Sequence, residues 1–184
     1  MTDQGRNVVL GLGNTLCTDE GTGVHALLVL QQLIGSETDA ELLDGGTLGL
    51  SLLPIVEESS HLLVLDAVDA GQPGGSILEL NGEAIPLFTG IKLSEHQLTF
   101  QEVLGLAKIR GKFPRHLHLI GVQPQDLSVG MGMSPVVSRS LPEILVRSQA
   151  VLQRWGLLPA GKELHPCVSE SREESSTSSG TIWA

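Results

Sequence analysis

Basic residues are scarce in this chain: 11 lysines and arginines stand against 21 aspartates and glutamates, a formal net charge of −10 at pH 7. That balance argues against a nucleic-acid groove and against an anionic membrane surface as partner. No apolar run approaches the length that spans a bilayer. Cysteine is almost missing as well, and Cys17 and Cys167 are too few for a disulfide framework. The stretch Met1 to Asn7 has neither the charge pattern nor the apolar segment of a secretory signal. A cytoplasmic, acidic, soluble protein is therefore expected. Self-contained hydrolase motifs are absent too: there is no His-Glu-x-x-His helix and no Gly-x-Ser-x-Gly elbow.

What is present starts at Val8, where an apolar strand breaks on Gly11 and Gly13 and ends in Asp19 and Glu20 before a helical pattern begins at Val24. A strand that runs through glycines into a helix often cradles a phosphate, because helix N-terminal N–H groups attract anions. Two carboxylates in that position repel a phosphate, and Leu16 stands where the dinucleotide fingerprint wants its third small residue. The turn suits a cation. Cys17 beside the helix start could be an activated thiol, but the adjacent acids oppose that activation.

Apolar segments of strand length alternate with segments of helical period. Strands are predicted at Val8 to Leu12, Glu41 to Leu43, Leu62 to Asp66, Ser76 to Leu80 and Leu117 to Val122. Helical faces are predicted around Val24 to Leu33, Leu50 to Val56, Leu98 to Ala107 and Val136 to Leu152. This β-α-β order favours a largely parallel sheet with helices on both faces. Residues 70–75 between the third and fourth strands are too few for a helical crossover, so the fourth strand is expected to run antiparallel. Residues 1–158 read as one domain, one core being the default at this length. From residue 159 to 184 a Ser- and Glu-rich tail lacks the apolar content for a core and is expected to be disordered, with Trp183 able to dock.

In an open α/β sheet the carboxyl ends of the parallel strands form the ligand cleft. Asp19 and Glu20 follow strand one, Asp44 closes strand two in Asp-Gly-Gly-Thr, and Asp66 closes strand three. Capping and chemistry both remain open for Asp19, Asp44 and Thr47. Asp66 is followed by an antiparallel turn and has no helix to cap, which favours function. Carboxylates that hold a transition ion usually recruit an imidazole. His96, in Ser-Glu-His-Gln before helix three, can reach the cleft, whereas His61 lies at the opposite rim, His25 inside helix one and His165 in the tail. His116 and His118 point to one face of strand five, a pair that could bind metal or simply meet solvent. Gly130-Met131-Gly132-Met133 reads as a mobile loop or as a plain connection into a helix.

The set Gly11 to Val24, Asp44-Gly45-Gly46-Thr47, Leu65-Asp66-Ala67-Val68, Ser94-Glu95-His96-Gln97 and Gly121-Val122-Gln123-Pro124 closely resembles the nickel-iron hydrogenase maturation endopeptidases, over roughly Val8 to Trp155 and in the same order. The resemblance implies a three-layer α/β/α sandwich around a five-stranded mixed sheet with one antiparallel strand. It implies a protease that trims the C-terminal extension of a nickel-loaded hydrogenase large-subunit precursor. Carried over residue by residue, it places the metal contacts on Glu20, Asp66 and His96. The nickel is expected to arrive with the substrate, since one imidazole and two hard carboxylates form an incomplete shell. A metal there could polarise the scissile carbonyl or a water; alternatively Asp66 or Asp44 activates the water in an aspartic-type reaction. A non-enzymatic nickel-binding checkpoint for the metallated precursor is the alternative from another class.

Overall fold

The structure is a computed structural model that describes residues 5–34, 37–82, 84–87 and 100–160. Its centre is a five-stranded sheet in the order β2-β1-β3-β5-β4. The strands are β1 (Arg6–Leu12), β2 (Glu41–Gly46), β3 (Ser59–Ala67), β4 (Ile77–Asn81) and β5 (His116–Val122). β1 runs parallel to β2 and β3, and β3 parallel to β5, while β4 pairs antiparallel with β5. The antiparallel sense of β4 matches the short connection that precedes it. Its neighbour, however, is β5 and not β3, so the last strand of the sheet is inserted between two strands that are consecutive in the chain.

The helices are α1 (Thr22–Ile34), α2 (Leu53–Glu58), α3 (Ala84–Leu87), α4 (Phe100–Ile109), α5 (Pro135–Ser138) and α6 (Leu141–Arg154). Pro54, Pro135 and Pro142 fall in first turns, where a missing N–H costs nothing. Alternation along the buried strands sends side chains to two cores. Val9, Leu63, Leu65 and Ile120 pack with Leu27, Leu30, Leu145 and Leu152 of α1 and α6. Val8, Leu10, Leu62, Val64 and Leu119 pack with Val56, Val103 and Leu104 of α2 and α4. Sheet faces covered on both sides explain why the strands read as continuous apolar runs. The result is a three-layer sandwich. Among the described residues no helix is long and apolar enough to cross a membrane.

One contact sets where α1 begins. A Cβ on Gly23 would lie 2.1 Å from the carbonyl oxygen of Leu65 and 2.4 Å from that of Leu12. The first turn of α1 therefore rests directly on the carboxyl ends of β1 and β3, a position only glycine permits. These two strands sit either side of the point where the strand order reverses, which in such sheets is where the crevice opens. Gly23→Ala should cost about 3 kcal/mol in urea unfolding, since the clash is with backbone on both sides. Gly105→Ala on α4, where a Cβ meets nothing within 4 Å, should instead stabilise by about 0.5–1 kcal/mol.

Candidate functional site

A pocket of about 120 Å³ opens at that crevice, lined by Leu12, Gly13, Glu20, Gly46, Thr47, Gly49, Leu52, Asp66 and Phe100. Among the described residues of this lining, Glu20 and Asp66 are the only ionisable side chains. β1 and the one-turn helix Thr18–Gly21 supply Glu20, and β3 supplies Asp66 in its last turn of pleat. Gly13, at φ 122°, lets the chain turn here, and a Cβ on it would fall 1.8 Å from the Glu20 carbonyl oxygen. Burial pushes the Asp66 carboxyl up to about 7, its own backbone partner Ala67 pulls it down, and the charge of Glu20 raises it further. Two carboxylates thus share a small space, and among the described lining residues no basic side chain offsets them, which is why burial and then the charge of Glu20 raise the proton affinity of Asp66.

The neighbouring acid Asp19 has turned the other way. It is fully buried. The N–H groups of Gln125 and Asp126 donate to its Oδ2 at 2.9 and 2.8 Å, and that of Ser134 to its Oδ1 at 2.6 Å. Burial alone would raise its proton affinity, but the three backbone donors outweigh it and hold the carboxyl below its usual range. Thr22 Oγ1 donates to the Asp19 carbonyl at 2.6 Å, so the residue also joins the turn to α1. The choice left open for Asp19 between capping and chemistry falls to a structural role: it clamps the loop of residues 125–134 to the site. Sequence reasoning missed that loop as a partner, and three N–H donors more than a hundred residues away leave no local signal.

Asp44 is exposed, and its Oδ1 accepts the Gly46 N–H at 2.9 Å in a tight side-chain turn. It does not line the pocket itself, but the Gly46 and Thr47 that follow it do. His96 lies outside the described residues, as do Cys167, His165 and Trp183, so its place relative to Glu20 and Asp66 is not part of this geometry. The described chain resumes at Phe100, on the pocket wall. Gln123, buried, shapes the loop that follows Asp66: its Oε1 accepts the Ala70 and Gln72 N–H groups at 2.8 and 3.1 Å, and its Nε2 donates to Asp69 at 3.0 Å.

The remaining candidates stand elsewhere. Burial and then Glu20 push the Cys17 thiol up, so it is not an activated nucleophile. His116 and His118 do share a face of β5, but His118 is buried instead of meeting solvent, with Nε2 2.9 Å from Glu79 Oε2. His116 stacks on His61 with ring centroids 4.3 Å apart, at the amino end of the sheet. Among the described residues no three His, Cys, Asp or Glu converge as a metal cluster. A wider hollow of about 890 Å³ at the same amino end is lined by Arg6, Glu41, Glu57 and Glu58. Its charges answer one another, Arg6 with Glu41 at 2.6 Å and with Glu58 at 3.2 Å, and Glu57 with Arg110 and Lys112. It holds no carboxylate pair like that of the small pocket.

Asp66 and Asp19 should titrate stability in opposite directions. Asp66 keeps its proton in the folded chain between about pH 4 and 7, where the unfolded chain has lost it, so its contribution falls as pH rises through that window. Asp66→Asn should therefore match the parent near pH 4 and exceed it by about 2–4 kcal/mol at pH 8 in urea titrations. Asp19 is held below its ordinary value, so its contribution is present above about pH 4 and is lost as the pH drops further. Asp19→Asn should cost about 2–4 kcal/mol at pH 7, a gap that closes in acid.

A family model described as hydrogenase maturation protease matches residues 24–149. The chain is 40% identical over 163 residues to the hydrogenase expression/formation protein HoxM of Cupriavidus necator, covering 86% of this chain and 81% of that one. It is 35% identical over 153 residues to the hydrogenase 2 maturation protease of Escherichia coli, covering 83% and 93%. Among solved structures, the hydrogenase maturating endopeptidase HybD from E. coli superposes with a TM-score of 0.76 at 35% identity, over 83% of this chain and 95% of that one.

Proposed function

We propose, from the premise that this chain belongs to the hydrogenase maturation protease family, that it is an endopeptidase of nickel-iron hydrogenase assembly. Its substrate would be the nickel-loaded large-subunit precursor in the cytoplasm, and its product the same subunit without its C-terminal extension. The observation that carries this reading is the pairing of Glu20 with the half-buried Asp66 in one small pocket at the sheet's switch point.

Two adjoining carboxylates cost free energy when both are charged, and a divalent ion relieves that cost. Glu20 and Asp66 balance the charge of the precursor's nickel, and His96, four residues before the pocket-lining Phe100, adds the nitrogen donor suited to that metal. Nickel is here part of the substrate. Three protein ligands leave positions for the precursor's own atoms. The ion thereby fixes the scissile peptide against the crevice, which converts recognition into positioning.

Hydrolysis then needs a base for the attacking water. Asp66 is the first candidate, because nickel held there would displace the proton that burial beside Glu20 retains and leave the carboxylate a base requires; Asp44, just before the pocket-lining Gly46, is the second. The base takes the water's proton as oxygen adds to the scissile carbonyl, and the proton passes to the departing amine as the C–N bond breaks. On this reading the reaction is of the aspartic type.

Glu20→Gln, Asp66→Asn and His96→Ala should each lower processing of nickel-loaded precursor at least a hundredfold, followed by the mass of the large subunit, while retaining cooperative unfolding. Normal processing by all three would remove the site assignment. Tight precursor binding by the parent chain without any shortening would favour the non-enzymatic checkpoint. Protein purified without added metal should contain little nickel by elemental analysis; stoichiometric nickel that survives a chelator would point to a resident cofactor.

A further inference from the structure

The turn that leads to Glu20 is hydrogen-bonded to a loop that displays apolar side chains. Thr18 N–H donates to the Gly130 carbonyl at 2.9 Å and Gly130 N–H to the Leu16 carbonyl at 2.9 Å, a parallel bridge that pairs Cys17 with Gly130. Thr18, at φ 29°, also donates through Oγ1 to the Ser128 carbonyl at 2.8 Å. Asp19 closes the loop at both ends, taking N–H groups from Gln125 and Asp126 on one side and from Ser134 on the other. The Gly130-Met131-Gly132-Met133 stretch is therefore part of a stapled loop that leads into α5.

Leu16 and Val129 immediately precede the bridged residues Cys17 and Gly130, and Met131 follows Gly130, so the bridge holds these three on two adjoining segments. They are 62%, 89% and 88% exposed, and Leu127 adds a fourth exposed apolar residue. From Leu127 to Ser138 there is no charged residue, in a chain whose net charge is −10. Clustered apolar exposure of this kind marks an interaction surface, and a backbone already ordered loses little entropy when it is covered.

From this we infer that Leu16, Val129 and Met131 form the docking face for the body of the large-subunit precursor, meeting an uncharged apolar surface beside its metal-bearing C-terminal segment. The inference rests on the function proposed above, because Glu20 lies two residues beyond Thr18: a partner whose metal reaches Glu20 must cover this rim. An uncharged rim also spares that contact the cost of desolvating carboxylates. Methionine suits such a contact, being flexible enough to adapt to an uneven partner.

The test compares the full chain with Val129→Glu/Met131→Glu and with Ile109→Glu, an 85% exposed apolar residue at the end of α4, which leads to the amino end of the sheet. Nickel-loaded precursor is titrated for binding and for cleavage. The double variant should melt within a degree or two of the parent, weaken binding and raise KM at least tenfold, and keep kcat within twofold at saturating precursor. Val129→Ser/Met131→Ser should fall between, and Ile109→Glu should match the parent. Unchanged binding and KM in both double variants, with the parent cleaving normally, would overturn the docking face alone. A parent that binds but does not cleave, with binding lost in the double variant, would support the docking face while refuting the protease reading. A parent that neither binds nor cleaves would overturn both.

Discussion

Asp19 has no solvent-accessible surface, yet it carries a charge that three backbone N–H groups hold in place. The rest of the carboxyl rim depends on that arrangement. Because Asp19 is committed inward, Glu20 is left on the pocket side of the same short helical turn, opposite Asp66. Because its oxygens reach both ends of the 125–134 loop, that loop is fastened to the turn that carries Glu20. An uncompensated buried carboxylate would be costly, and a fully bonded one defines a single geometry.

The sheet supplies the second half of the site. Glycine at 23 lets α1 touch the carboxyl ends of β1 and β3 where the strand order reverses. The turn after β1 and the end of β3 then converge within one small pocket. Burial first, and then the charge of Glu20, raise the proton affinity of Asp66.

Much of this is written in the chain, and the exceptions have physical causes. Continuous apolar runs located every strand, with polar edge residues such as Arg6 and Ser59 hiding their true starts. The antiparallel sense of β4 followed from a short connection, but its place beyond β5 did not, since strand order depends on crossovers that leave no mark on local periodicity. The alternation of His116 and His118 told the face they share. It could not tell that His118 is buried, because its partner Glu79 comes from the edge strand β4, whose place next to β5 local periodicity does not reveal. Asp19 and Glu20 are chemically alike and adjacent, and only distant N–H donors decide which one turns inward. His96 lies outside the described residues, so its part in the site rests on the family resemblance and on its proximity in sequence to Phe100.

If the Glu20 and Asp66 pocket answers to a metal brought by the precursor, cleavage must follow the precursor's metal content. The direct measurement is the mass of the large subunit after incubation of the purified chain with nickel-loaded precursor and, in parallel, with the same precursor stripped of metal. Complete shortening of the loaded precursor and an unchanged mass for the stripped one are expected. Equal cleavage of both would contradict this reading of the pocket.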